Sequence, residues 1–116
     1  MTIYDEALLR TVDAWNEKPL DEWLFAEFRE KFVDTMSSTK AFESIGETIS
    51  LLLQQENEST AIEILNTIIA LARQSDTTEI PLELLTQKFA MVNQFSTFGN
   101  YAQNRLRELF KHYRLN

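Results

Sequence analysis

Apolar residues return every three or four positions along nearly the whole chain, the period of helices that bury one face. Leu8, Leu9, Val12 and Trp15 predict a first helix over roughly residues 3–16, opened by Thr2 and Asp5 in a capping-box-like arrangement. Pro19 interrupts the pattern. A second helix is expected from about Leu20 or Asp21, with Leu24, Phe25, Phe28, Phe32 and Met36 on its apolar side. A polar break at 37–39 follows, and Thr39 is the expected cap of a third helix over roughly residues 40–55. Phe42, Ile45, Ile49, Leu52 and Leu53 share one arc of that helix. Gly46 lies beside the arc; a glycine there costs about 1 kcal/mol against alanine, and the return expected is close approach of a neighbouring helix.

The fourth segment, capped by Ser59 or Thr60 and running to about Gln74, is apolar almost all round, with Ile62, Ile64, Leu65, Ile68, Ile69, Leu71 and Ala72. It is therefore expected to be the central core helix. Pro81 suits the first position of a fifth helix. That helix carries one apolar row of Leu82, Leu85, Phe89 and Val92 and a second row of Leu84 and Met91. Asn100 is the expected cap of a sixth, with Ala102, Leu106, Leu109, Phe110 and Tyr113 inward. The fold class is thus all-α, a single helical domain over residues 1–116. Short connections make neighbours antiparallel. Helix pairs begin near residues 2, 39 and 80, a spacing of about 40 residues, which suits HEAT-like hairpins, with a closed bundle as the alternative.

Composition narrows the chemistry. The 116 residues include four glycines and prolines together, too few for an all-β protein. The absence of cysteine excludes disulfides, thiolate metal sites and cysteine nucleophiles. No apolar run approaches the roughly 18 residues of a membrane span, and the opening does not read as a signal peptide. A cytoplasmic protein that engages no membrane is expected. The net charge of −7 argues against nucleic acid as a partner.

Candidate catalytic and metal-binding groups are few. His112 is the one histidine; Glu108, four residues earlier, shares its helix face, but the spacing of a carboxylate-bridged metal bundle is missing. His112 reads as an exposed residue near a helix C-terminus. No nucleophile elbow, phosphate loop or calcium loop is present. The acidic pairs Asp5/Glu6, Asp21/Glu22 and Glu56/Glu58 fall at helix starts or loops, where the helix dipole favours carboxylates. Arg105, Arg107, Lys111 and Arg114 on the last helix suit its C-terminal end for the same reason. The chain is expected to be no enzyme, and to need neither cofactor nor metal.

Charge is unevenly spread. Residues 1–63 hold 14 carboxylates against 5 cations, net −9, whereas residues 64–116 carry +2. On the second helix Trp23, Glu27, Glu30 and Asp34 follow at i, i+4, i+7 and i+11, a stripe away from the phenylalanine face. Such a stripe suits a hot spot for a cationic partner. Alternatively, Trp23 packs on the first helix and the acids simply solvate a surface, with Arg29 and Lys31 offsetting part of the charge. The candidate partner-binding set is Glu17, Glu22, Trp23, Glu27, Glu30 and Asp34.

In its opening run Met1 to Leu9, the apolar stretch from Glu47 to Leu53 and from Ile64 to Leu71, and its close from Arg105 to Tyr113, the chain resembles small, acidic, all-helical bacterial immunity proteins of contact-dependent inhibition systems. The resemblance implies a protein that binds a basic toxin domain, typically a nuclease, and covers its active site without chemistry of its own. Trp23 and, more weakly, Trp15 would be its aromatic anchors. A helical adaptor that receives a partner peptide between helices is the alternative. The oligomeric state stays open at this level.

Overall fold

The computed structural model describes residues 2–17 and 23–115. Among them are six α-helices and one π-helical turn and no strand: α1 (Ile3–Glu17), α2 (Leu24–Phe28), π1 (Arg29–Val33), α3 (Ser38–Leu53), α4 (Glu58–Gln74), α5 (Leu82–Phe95) and α6 (Asn100–His112). Pro19 and the expected helix start at Leu20 or Asp21 lie outside the described residues.

Local side chains set the helix starts. At α1 the expected capping box forms: the Thr2 amide donates to Asp5 Oδ2 and the Asp5 amide to Thr2 Oγ1, both at 3.1 Å. The caps of α3, α4 and α6 fall one to three residues earlier than the sequence suggests, whereas α5 begins one residue after Pro81, its expected first position. Ser37, not Thr39, caps α3, its Oγ accepting from the Lys40 amide at 3.1 Å. Asn57, not Ser59 or Thr60, caps α4 through Oδ1 and the Thr60 amide at 3.0 Å. The Thr60 hydroxyl is thereby free to donate to Asn16 Oδ1 at 2.9 Å, tying the end of α1 to the start of α4. Pro81 and Gly99 stand just before α5 and α6, so Asn100 is the first helical residue rather than the cap.

The layering follows from which faces are apolar. α3 and α4 form the central hairpin; α5 packs on α3, and α6 on α4 and α5. On the other side α1 packs on α2, and π1 and α1 both reach α4. The molecule measures 35 × 34 × 21 Å, and its short dimension is about two helix diameters. As expected for a helix apolar all round, α4 is central, with Ile64, Leu65, Ile68 and Leu71 fully buried. At Gly46 a Cβ would stand 2.5 Å from Glu83 Cδ, so what approaches the glycine is the end of a side chain from the first turn of α5, not the backbone of a neighbouring helix.

Aromatic rings join α1 to α2. Trp15 meets Phe25 edge-on at 5.3 Å, Tyr4 lies 5.6 Å from Phe28, and Phe28 stacks on Phe32 at 5.3 Å. Beyond Phe28 the register departs from a plain α-helix. Val33 is fully buried, while Phe32 and Met36 are only half-buried. In an α-helix Phe28 and Val33 would point about 140° apart. The wider π-turn, closed by the Asp34 amide donating to the Arg29 carbonyl at 2.9 Å, brings both to the core.

Candidate partner-binding surface

The acidic stripe is built on α2 and π1. Phe25, Phe28 and Val33 fix which side of this segment is buried. The opposite side presents Glu27, Glu30 and Asp34, all exposed, and Trp23, 64% exposed at the head of α2. The Glu27 amide donates to the Trp23 carbonyl at 2.8 Å, which holds the tryptophan one turn from the first carboxylate. It is thus Trp15 that fills the α1–α2 interface, and Trp23 that stands in the surface. Glu17, the last residue of α1, is exposed. Glu22 lies outside the described residues.

The two cations of the segment behave differently. Arg29 is turned to α4, where Nη1 lies 3.3 Å from Glu63 Oε1 and also reaches the Glu63 carbonyl and the Thr67 hydroxyl. Its charge therefore offsets Glu63 instead of the stripe. Lys31 remains exposed, its Nζ 5.5 Å from the Phe32 ring centre.

His112 is half-buried rather than exposed. Its ring meets Tyr113 edge-on at 4.7 Å, and its Nε2 finds no partner among the described residues. Burial pushes the Tyr113 phenol up to about 12. Glu108 pairs with Arg105, whose Nε also donates to Asn66 on α4 at 2.8 Å, so this part of the basic helix is committed to the fold. No cluster of three metal-ligating side chains exists among the described residues, and no helix there is long and apolar enough to cross a membrane.

Two features escaped the sequence. Asp5 and Glu47 meet across α1 and α3. Desolvation opposes ionisation of Asp5, but hydrogen bonds from Glu47 and from the Thr2 amide and hydroxyl prevail and hold it below the usual carboxylate range. Glu47 is held above it, by its hydrogen bond to Asp5 and by that neighbour's charge. The second feature is on α5. Its shorter row, Leu84 and Met91 with Phe95, is buried, while Leu82, Leu85, Phe89 and Val92 stay exposed. Next to them a groove of about 270 Å³ runs between α5 and α6, lined by Lys88, Val92, Phe95, Leu106, Arg107 and Phe110 among others. The two apolar rows on one helix were the available signal, because a helix at the edge of a two-layer fold buries one row only. In comparisons with protein-family models, curated proteins and solved structures, the chain matches none.

Proposed function

We propose that this chain is a non-catalytic inhibitor of the immunity type, which neutralises a cationic toxin domain by laying the α2–π1 surface over its active site. The observation that carries this reading is the run of exposed carboxylates Glu27, Glu30 and Asp34 beside the exposed indole of Trp23, with the Arg29 guanidinium withdrawn to Glu63. Long-range attraction would speed encounter with a basic active site. The indole would supply the desolvated contact on which affinity depends.

The test uses the partner that this chain retains in a pull-down read by mass spectrometry, which this reading expects to be a basic toxin domain. Reversing Glu27, Glu30 and Asp34 to lysine should slow association at least about tenfold at low ionic strength, with helicity unchanged. Raising salt should slow the wild-type protein towards the same rate. Equal rates for both proteins overturn the reading, as does turnover of any substrate by the purified chain. The groove between α5 and α6 favours a second reading, a helical adaptor holding an apolar peptide segment. Binding there would depend little on salt and would survive the triple reversal.

A further inference from the structure

The exposed row of α5 has a property that its burial alone does not explain. Leu82, Leu85, Phe89 and Val92 are 69%, 51%, 83% and 43% exposed. They present on the order of 400 Å² of apolar surface, the size at which a monomer's largest patch is often functional. Their spacing of three, four and three residues reads the same from either end of the helix. A two-fold axis across the middle of α5 therefore sets Leu82 against Val92 of a second copy, and Leu85 against Phe89. This is the a-to-d pairing of an antiparallel two-helix seam.

Charge favours a second copy over a charged partner. α5 carries two ionised side chains, and both lean on neighbouring helices. Glu83 lies over Gly46 of α3, and Lys88 Nζ stands 5.4 Å from the Phe110 ring centre on α6. The exposed residues that flank the row, Thr86, Asn93 and Ser96, are uncharged. The strong negative charge of this protein lies in residues 1–63, whereas α5 belongs to the half that carries +2. Two copies meeting on α5 therefore bring their least repulsive surfaces together.

We infer that α5 is the interface of a two-fold, antiparallel homodimer. Two apolar rows with their polar flanks bury about 1,000 Å² in total, the lower limit for a specific interface, so the dimer is a dissociable one. α2 packs chiefly on α1 and π1 chiefly on α4, whereas α5 packs chiefly on α3 and α6, so each copy keeps its acidic stripe open. The inference is independent of the proposed function, because it is read on the protein by itself.

Sedimentation equilibrium between about 5 and 500 µM should show a rise from the 13.6 kDa chain mass towards twice that value, with half-dimerisation on the order of 10–100 µM. Phe89→Asp, at an exposed position, should keep the helical circular dichroism and weaken association at least about thirtyfold. A wild-type protein that stays monomeric throughout, or an unchanged Phe89→Asp variant, overturns the proposal. Cysteine pairing tests the register. A mixture of Leu82→Cys and Val92→Cys chains should cross-link on oxidation. Neither chain should cross-link alone, because like positions then stand about 15 Å apart along the axis. Cross-linking of either variant with itself overturns the antiparallel pairing.

Discussion

Asp5 does three things with one carboxylate. It completes the cap of α1, it accepts a hydrogen bond from Glu47, and it does so while partly desolvated. The pair has opposite consequences for pH. Asp5, held below its ordinary range, contributes stability that is lost as pH falls through its folded value, and at pH 7, where Glu47 has no proton to donate, that contribution rests on the Thr2 amide and hydroxyl. Glu47, held above its range, contributes stability below its unfolded value that is lost as pH rises through the folded one. At pH 7 Glu47 therefore opposes the fold. Glu47→Gln, which keeps a donor for Asp5, should raise stability by about 0.3 kcal/mol at pH 7, a gain held small by solvent screening. Urea melts should show the gain vanish below about pH 4, where the wild-type carboxyl is protonated in both states. A gain independent of pH would show that charge is not its source. Nothing in the local sequence pairs these residues, since Asp5 and Glu47 sit on helices distant in the chain and only their packing brings the carboxylates together.

Among the elements, α4 shows how far periodicity carries. Its apolar circumference marked it as the central helix, and it touches α1, α3, α6 and π1. Ile68 is fully buried there. Ile68→Ala should cost roughly 2–5 kcal/mol in a denaturant melt, because the layers on either side restrict collapse of the cavity. A loss below about 1 kcal/mol would mean that the site relaxes freely. The inward face of α6 was equally legible from Leu106, Leu109 and Phe110, and that of α1 from Leu8, Val12 and Trp15, although Leu9 of the same expected set stays exposed. α2 was legible only in part. Phe25 and Phe28 are buried as expected, but a fixed 3.6-residue period cannot place Val33, because the π-turn changes the period within the helix. α5 was ambiguous for a different reason. It carries two apolar rows, and which one is buried depends on α3 and α6 lying to one side, which is a property of the assembled layers. The caps of α3 and α4 slipped because serine, threonine and asparagine cluster at both starts, and any of them can fill the position.

At the scale of the molecule, charge and apolar surface are segregated. The acidic stripe lies on α2 and π1, the bare leucine and phenylalanine row on α5, and the α3–α4 hairpin stands between the elements that carry them. The stripe was visible in the sequence because surface carboxylates need no tertiary information to be exposed, whereas the withdrawal of Arg29 to Glu63 required the fold. The π-turn bears on this surface too. It houses one residue more than an α-helix of the same rise would hold, and Lys31, the exposed cation of the segment, sits within it. Deleting Lys31 would let the turn close into ordinary i to i+4 bonding, with Val33 then four places from Phe28 and still facing the core. The shortened chain should melt within about 5 °C of its parent. Because the deletion removes an ammonium beside Glu27, Glu30 and Asp34, the proposed function predicts faster capture of a cationic partner by the shortened chain.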